Sequence, residues 1–428
     1  MASSRQPIHT VYGGAHLFKA DTAPRLGVTA LRVLEEYAPD AATLAAVLGI
    51  ASAAAERVHS RVTEKLRREP VEDFRLDFED GYGNRPDAEE DAHAESAAVE
   101  VAAGAKNGTL PPFIGIRIKN LGAELRDRAL RTTQLFLDRL LKETGGQPPP
   151  NFVVTLPKIT ESAQVGILVD AFARIETIHR LAPGTLRMEL MVETPQSIFD
   201  ESGAIALPAL IKHGRGRIIA AHFGTYDYTA SLGITAAHQH MRHPVCDFAR
   251  GVMQVALAVT DVWLSDGATN VLPVAIHRAA SGRPLTPAQS QENRQAIHRA
   301  WRLHHDDIRH SLSNAFYQGW DLHPAQLVTR YAAVYGFFLE SLDAASERLR
   351  NFIAKSAQAT LVGEIFDDAA TGQGLLNFFL RALNCGAVRE EEIETLTGLT
   401  LSELRSGSFA QIVKGRRAER ADGLSSRH

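Results

Sequence analysis

The stretch DFRLDFEDGYGNRP (residues 73–86) begins as an alternation of apolar and charged residues and ends in acids. Successive side chains of a β-strand point to opposite faces, so this alternation makes one face apolar and the other charged. Arg75, Asp77 and Glu79 share the charged face, and Asp80 follows at its end. A buried strand of this kind needs partners for its charges, because an unpaired buried charge is costly.

Further β-rich stretches alternate with longer helical stretches along most of the chain. The strand candidates lie at 9–14, 74–80, 113–118, 152–159, 187–194, 217–224, 261–267 and 314–320. Eight strands that alternate with helices predict parallel βα units and a (β/α)₈ TIM barrel. An open, doubly wound sheet is the alternative arrangement of the same elements.

The strand pattern stops beyond Gly336, and the chain becomes helical. We therefore expect a barrel domain over residues 1–335 and a small C-terminal α-helical extension over 336–428. An extra helical stretch at about 40–70 is expected to be an insertion into the barrel domain. The polar segment from Lys414 onward has no apolar period, which predicts a loose tail.

Two more strand candidates carry charge on one face only. In FIGIRI (113–118), Gly115 and Arg117 share a face opposite three isoleucines, and in RMELMVET (187–194) Glu193 ends the charged face. Helices cover the outside of a parallel barrel, so the charged faces should point inward. Barrel enzymes build their sites at the carboxyl ends of the strands, where a divalent cation would hold such carboxylates together. The alternative is a structural ion-pair network inside the barrel.

The composition excludes several classes of partner and site. The net charge is −4, which gives no reason to expect nucleic acid or an acidic membrane as a partner. Two cysteines, Cys246 and Cys385, form no disulfide framework, so we expect reducing, cytoplasmic surroundings. The first residues contain no apolar core of signal-peptide length. The alanine-rich stretch 41–55 is shorter than the roughly 20 residues that span a bilayer, and it predicts a packing helix.

Seven short motifs resemble, in the same order, those of the aldolase/citrate lyase family, which includes the citrate lyase β-subunit, malyl-CoA lyase and 2-oxo-acid aldolases. The motifs are LDFED (76–80), GIRIKN (115–120), TLPKI (155–159), MVETPQS (191–197), HFGTYDYTASLGI (222–234), SDGATNVLP (265–273) and GWDLHPAQL (319–327). The resemblance implies a (β/α)₈ barrel that binds pyruvate or phosphoenolpyruvate. It is less specific in residues 40–70 and in the C-terminal helical part.

The resemblance also implies a metal site. Glu193 and Asp227 match the family's ligands of Mg²⁺ or a similar ion such as Mn²⁺, and oxygen donors suit such ions. Glu79 and Asp80 match the acids that hold metal-bound water. Arg117 matches the arginine that grips the substrate carboxylate in a forked pair.

The remaining site residues follow from the same motifs and from their places at strand ends. The expected catalytic residues are Arg117, Asp80, Glu79, His16 and His222, and the expected substrate contacts are Arg117, Gly115, Gly224 and Thr225. Histidine suits general acid or base work near neutral pH. Because the chemistry needs no Schiff base, Lys158 is expected to be an electrostatic or structural residue.

The sequence departs from the family pattern at two places. Tyr228 stands where the family has a leucine after the metal aspartate, and Gly13-Gly14-Ala15-His16 replaces a Pro-Gly after the first strand. The second departure puts the CoA-handling part of the relatives in doubt. It favours free acids over CoA thioesters as substrates.

We therefore expect a Mg²⁺-dependent carbon–carbon lyase or aldolase that cleaves or forms a small oxo- or hydroxy-acid, or its CoA thioester, through a metal-stabilised enolate. We expect a homo-oligomer with a small-molecule substrate and with no nucleic-acid or membrane partner. One alternative is a phosphoryl-transfer or thioester-hydrolysing enzyme on the same barrel, although the sequence contains no G-x-x-x-x-G-K-[ST] or G-x-S-x-G motif. The other alternative is a non-catalytic barrel that binds a metabolite.

Overall fold

The computed structural model describes residues 5–258, 260–279, 283–358 and 369–425. Eight parallel strands close into a barrel, in which each strand pairs with its neighbours in sequence and the last pairs with the first. The strands are β1 (His9–Gly14), β2 (Asp73–Asp77), β3 (Phe113–Arg117), β4 (Phe152–Leu156), β5 (Arg187–Val192), β6 (Ile218–Phe223), β7 (Trp263–Ala268) and β8 (Gln318–Asp321). The closure between β8 and β1 confirms the predicted (β/α)₈ TIM barrel and excludes the open sheet.

Helices follow the strands along the chain and continue beyond the last strand. They are α1 (Thr22–Tyr37), α2 (Ala41–Leu48), α3 (Ser52–Arg68), α4 (Asp87–Asn107), α5 (Arg126–Glu143), α6 (Ser162–His179), α7 (Pro195–Ile198), α8 (Leu207–His213), α9 (Thr225–Ser231), α10 (Pro244–Leu257), α11 (Pro287–Ser313), α12 (Pro324–Leu339), α13 (Leu342–Gln358), α14 (Ala369–Asn384), α15 (Glu390–Thr397), α16 (Leu401–Arg405) and α17 (Phe409–Ser425). Polar caps fix several helix starts: Asp40 accepts a hydrogen bond from the Thr43 backbone at 2.7 Å and begins α2.

The alternation of side chains sorts each strand into an inner and an outer face. Arg75 on β2 donates to Glu189 on β5 (Nε–Oε1 2.7 Å), and these strands are not neighbours, so both side chains point into the barrel. Leu76 and Leu190 then point outward, and both are fully buried. The charged inner faces and aliphatic outer faces therefore agree with the pattern of the sequence.

The chain divides into two compact units. The barrel unit comprises Pro7–Pro39 and Thr63–Arg330, and the helical unit comprises Met1–Gln6, Asp40–Val62 and Tyr331–His428. The structure therefore groups residues 40–62 with the C-terminal helices, where the sequence predicted an insertion into the barrel domain. An ion pair between Arg61 and Glu392 (2.9 Å) is one of the contacts inside the helical unit.

The C-terminal segment is more ordered than its composition suggested. Residues 414–425 lie in α17, where the sequence predicted a loose tail, and residues 426–428 lie outside the described part of the chain. Among the described helices, no single one is long and apolar enough to cross a bilayer. Helices α2 and α3, which meet at a 110° bend, have the length and composition of a membrane span only when they are counted together.

Candidate active site

Charged side chains gather at the carboxyl ends of five consecutive strands. We call them the rim cluster, and they are Asp77, Glu79, Asp80, Arg117, Lys158, Glu193 and Asp227. Asp77 and Arg117 end their strands, Asp227 lies in the first turn of α9, and the others follow β2, β4 and β5 directly. The cluster thus places five carboxyl groups against two cations.

Arg117 is held from two sides. Asp77 accepts from its Nε at 2.7 Å and also from its Nη2, while its Nη1 lies 3.3 Å from Glu79 and 3.7 Å from Asp80. The ring of Tyr12 lies below the guanidinium, 4.9 Å from its central carbon to the ring centroid. Burial opposes the charge, but Asp77 outweighs it and keeps the pKa of Arg117 well above its ordinary value. The forked edge is used by Asp77, so a substrate carboxylate would meet the Nη1 side.

Lys158 links the acids of β2 to those of β5 and β6. Its Nζ donates to Glu79 and to Asp80, at 2.8 Å from Asp80, and lies 3.8 Å from Asp227. Its backbone N–H donates to Glu193 at 2.8 Å, from a residue in the left-handed region with a φ of 48°. The side chain of Lys158 therefore contacts the acids after β2, and its strained backbone holds Glu193. The side-chain contacts agree with an electrostatic role, and the backbone contact adds a positioning role.

Glu193 and Asp227 lie side by side. Burial, followed by the neighbouring charge of Asp227, raises the pKa of Glu193 to about 8. Burial also raises the pKa of Asp227, and the two carboxyl groups are close enough to share a hydrogen bond. Asp227 disfavours the ionisation of Glu193, and a cation bound between two such carboxyl groups would favour the charged form of both. Their role as metal ligands remains a prediction.

Glu79 and Asp80 are neighbours in sequence, and their pKa values are shifted in opposite directions. Burial, together with the charge of Asp80, raises the pKa of Glu79 to about 7 against the opposing effect of Arg117. The pKa of Asp80 is lowered, because hydrogen bonds from Lys158 and Glu79 outweigh its burial. Two acids with separated pKa values suit an acid and base pair.

Three predicted substrate contacts are explained by local packing. A Cβ on Gly224 would lie 2.5 Å from both the Cβ and an Oε of Glu193, so glycine makes room for that carboxylate. A Cβ on Gly115 would lie 2.1 Å from the Val153 carbonyl, so the close approach of β4 accounts for the glycine. Thr225 is buried, with its Oγ1 3.1 Å from the sulfur of Met241. Their contacts with substrate remain predictions.

His222 lies inside the barrel rather than at its mouth. It is fully buried, its Nε2 lies 3.1 Å from Glu189, and its Nδ1 accepts from Trp320 at 3.2 Å. Glu189 also binds Arg75, whose Nη1 contacts Asp73. The ion-pair network that the sequence offered as an alternative is therefore present beneath the rim cluster. This placement suits a supporting role within the core, and the expected acid or base role of His222 remains a prediction.

His16 follows β1 in a short 3₁₀ helix. Its ring packs edge-on against Tyr82, with centroids 5.4 Å apart, and lies 5.8 Å from the ring of His93. Burial, Arg85 and His93 lower the pKa of His16, so it is neutral at neutral pH. Its catalytic role remains a prediction.

The donor set fits a hard divalent cation only with help from water or substrate. Among the described residues, no group of three or more His, Cys, Asp or Glu side chains is arranged to hold a metal ion. A magnesium ion, however, is commonly held by one or two carboxylates together with waters and substrate oxygens. The paired oxygens of Glu193 and Asp227 meet that requirement, because burial and the charge of Asp227 raise the pKa of Glu193 in spite of Arg117 nearby.

Comparison with known families places the whole barrel and most of the helical unit in one group. A family described as a domain of unknown function, DUF6986, matches residues 1–412. The chain belongs to this family. None of the curated proteins compared with this DUF6986 member matches it.

Solved structures resemble this DUF6986 protein in fold. A citrate lyase from Burkholderia xenovorans LB400 superposes with a TM-score of 0.54 at 17% identity, covering 90% of this chain and 97% of that one. A Haloferax volcanii malate synthase, in a complex with magnesium and glyoxylate, gives 0.47 at 13% identity, covering 97% and 99%. An HpcH/HpaI aldolase/citrate lyase family protein from Burkholderia cenocepacia J2315 gives 0.35 at 12% identity, covering 61% and 80%. The citrate lyase match confirms, for the fold alone, the resemblance seen in the motifs.

Sequence reasoning missed parts of the site. Asp77 was placed on the charged face but was given no role, although it binds Arg117. Tyr12 was not singled out, although its ring supports the same guanidinium. The alternation of Thr10 and Tyr12 with apolar residues in β1 was the available signal, because it places Tyr12 on the inner face.

Proposed function

We propose that this protein is a carbon–carbon lyase or aldolase that acts on a small oxo- or hydroxy-acid with Mg²⁺, or Mn²⁺, as its cofactor. The observation that carries the proposal is the Glu193–Asp227 pair beside Arg117 and Lys158 at the carboxyl ends of barrel strands. The description of the Burkholderia xenovorans protein as a citrate lyase supports the same reaction class.

Each residue of the rim cluster has a separate task in this proposal. Glu193 and Asp227 hold the ion, which when bound supplies a Lewis acid that stabilises negative charge on the substrate's ketone oxygen. Arg117 binds the substrate carboxylate through its Nη1 side. Lys158 adds positive charge and orients the acids after β2. Glu79, with a pKa of about 7, is suited to accept and return a proton.

A coupled assay tests the proposal. Cleavage of 4-hydroxy-2-oxo acids to pyruvate, followed through NADH oxidation by lactate dehydrogenase, should require Mg²⁺ or Mn²⁺. Glu193→Gln and Asp227→Asn should each lower kcat/KM at least about 100-fold, because each removes a charge that binds the ion. Glu95→Gln is the control, since Glu95 is an exposed acid on the helix α4.

Retained activity in both site variants would contradict the metal assignment. Turnover of malyl-type CoA thioesters without turnover of free acids would shift the substrate class from free acids to thioesters. Stabilisation by ATP, measured as a rise in Tm, would favour phosphoryl transfer, because a ligand of the native state raises the melting temperature.

A further inference from the structure

The mouth of the barrel has two chemically different sides. The rim cluster occupies the ends of β2 to β6. The ends of β7, β8 and β1 are neighbours in the closed sheet, and several apolar side chains lie there, beside His16, Asn270 and His323. Asp266 and Asp321 at these ends are buried in ion pairs with Arg250 and Arg330. We call the apolar side chains the apolar arc, and they are Tyr12, Leu17, Val271, Leu272, Trp320 and Leu322.

The apolar arc is accessible from outside. Leu17 is 69% exposed after β1, Leu322 is 40% exposed after β8, and Val271 and Leu272 are 46% and 37% exposed after β7. Single exposed apolar residues are ordinary, but four of them in the segments that follow three neighbouring strands suit a binding surface.

The floor of the apolar arc is aromatic. Tyr12 and Trp320 point into the barrel from adjacent strands, and their ring centroids lie 4.8 Å apart. Both remain partly exposed although they lie on the inner face, so they border the open mouth of the barrel. The hydroxyl of Tyr12 approaches the sulfur of Met191 at 3.9 Å, which leaves its polar atom weakly bound.

Two contacts join the apolar arc to the rim cluster. Tyr12 packs beneath the guanidinium of Arg117. The hydroxyl of Tyr226, the neighbour of Asp227, accepts from the Asn270 backbone and donates to the Ala268 carbonyl, both at 2.9 Å. These bonds fix the start of the β7 loop, just before Val271, beside the helix that carries Asp227. A ligand bound beside Arg117 would therefore lie next to the ring of Tyr12, which belongs to the apolar arc.

We propose that the substrate is amphipathic: an oxo- or hydroxy-acid whose carboxylate end binds at the rim cluster and whose other end is an apolar chain or ring that packs on the apolar arc. This inference rests on the proposed function and names its substrate class. The apolar occupant is assigned to the substrate because the arc is continuous with the charged site and shares two anchoring contacts with it.

Isothermal titration in Mg²⁺ with oxamate, N-butyl oxamate and N-phenyl oxamate tests the inference without turnover. Oxamate imitates the charged end, and the substituents add the apolar end. Burial of methylene groups changes affinity by about three- to fourfold each, so the Kd of N-butyl oxamate should be at least about tenfold below that of oxamate. Leu272→Ser and Leu322→Ser should each reduce this ratio about threefold or more. Val255→Ser, at an exposed valine on α10, should leave the ratio unchanged.

The outcomes separate the two proposals. Oxamate binding that is lost in Glu193→Gln, together with equal Kd values for all three oxamates, would overturn the amphipathic substrate and leave the proposed function standing. Failure of oxamate to bind in Mg²⁺ would overturn the proposed function. If the serine variants instead changed the sedimentation velocity and left the Kd ratio intact, the apolar arc would be a contact between copies of the chain, and the inference would be wrong.

Discussion

At the scale of single residues, Gly224 shows how a missing side chain shapes the site. Its backbone has ordinary negative φ, so the need for glycine comes from Glu193, which occupies the space of a Cβ. Gly224→Ala should displace the Glu193 carboxylate and lower the free energy of unfolding by about 1–3 kcal/mol, the usual range for overpacking. Urea denaturation measures this change. Gly251→Ala, where a Cβ meets nothing within 4 Å, is the matched control and should not destabilise the protein.

Glu193 should also give the protein a characteristic pH dependence. Its pKa is raised to about 8 in the folded state, so the folded chain binds more protons than the unfolded chain between the ordinary glutamate pKa and about 8. In EDTA, the contribution of this group to stability should therefore fall as the pH rises through that window, by at most about 1.4 kcal/mol per pH unit. Glu193→Gln, which cannot ionise, should flatten the slope of urea stability between pH 5 and 8. An unchanged slope would show that Glu193 titrates normally.

The sequence predicted the acids of the site better than it predicted their contacts. Glu193 and Asp227 were placed together because their motifs resemble those of the family's metal ligands, which agrees with the meeting of neighbouring strand ends at one edge of a barrel. Arg117 contacts both Asp77 and Glu79. Which acids its guanidinium contacts depends on the length and direction of the side chains, and the alternation along the strand does not specify these. The depth of His222, which is fully buried inside the barrel, could not be predicted, because a strand position alone does not distinguish a residue at the mouth from one a layer below.

At the scale of elements, a buried ion pair joins strands on different sides of the barrel. Arg75 on β2 donates from two nitrogens to Glu189 on β5, each at 2.7 Å. Removing one partner of such a pair leaves an uncompensated buried charge. Arg75→Met should therefore lower the free energy of unfolding by about 3–5 kcal/mol.

The matched control is Arg131→Met, at an arginine that is largely exposed and paired with Asp91 on the surface. It should cost less than about 1 kcal/mol, because exposed ion pairs contribute little. Equal losses in the two variants, measured by urea denaturation, would show that the pair inside the barrel is not a stabilising element of this fold.

Strands were predictable from sequence because short β-rich stretches alternate with longer helical ones, and three of them show a clear period of two residues. The inner network also follows from that period, since Arg75 and Glu189 occupy the charged faces that the alternation defines. The helical unit was harder to predict. Residues 40–62 associate with helices far along the chain, for example through Arg61 and Glu392, which are 331 positions apart, and a local pattern carries no information about such a partner.

At the scale of the whole molecule, the proposed chemistry belongs to one of the two units. Every residue of the rim cluster lies in the barrel unit, whose bounds are Pro7–Pro39 and Thr63–Arg330. A ligand stabilises the native form of the region that it binds, because it suppresses the openings that would release it. Ligand binding should therefore protect the two units unequally.

Hydrogen exchange with and without Mg²⁺ measures this difference. We expect slower exchange in the segments that follow β4, β5 and β6, which supply Lys158, Glu193 and Asp227, and little change in the described residues of the helical unit beyond α12. The Asp227→Asn variant should lose the protection while keeping the exchange pattern of the metal-free protein elsewhere. Equal protection of α14 to α16 and of these segments would instead place the ion outside the rim cluster, since a local ligand cannot slow exchange in a separate unit without binding or ordering that unit as well.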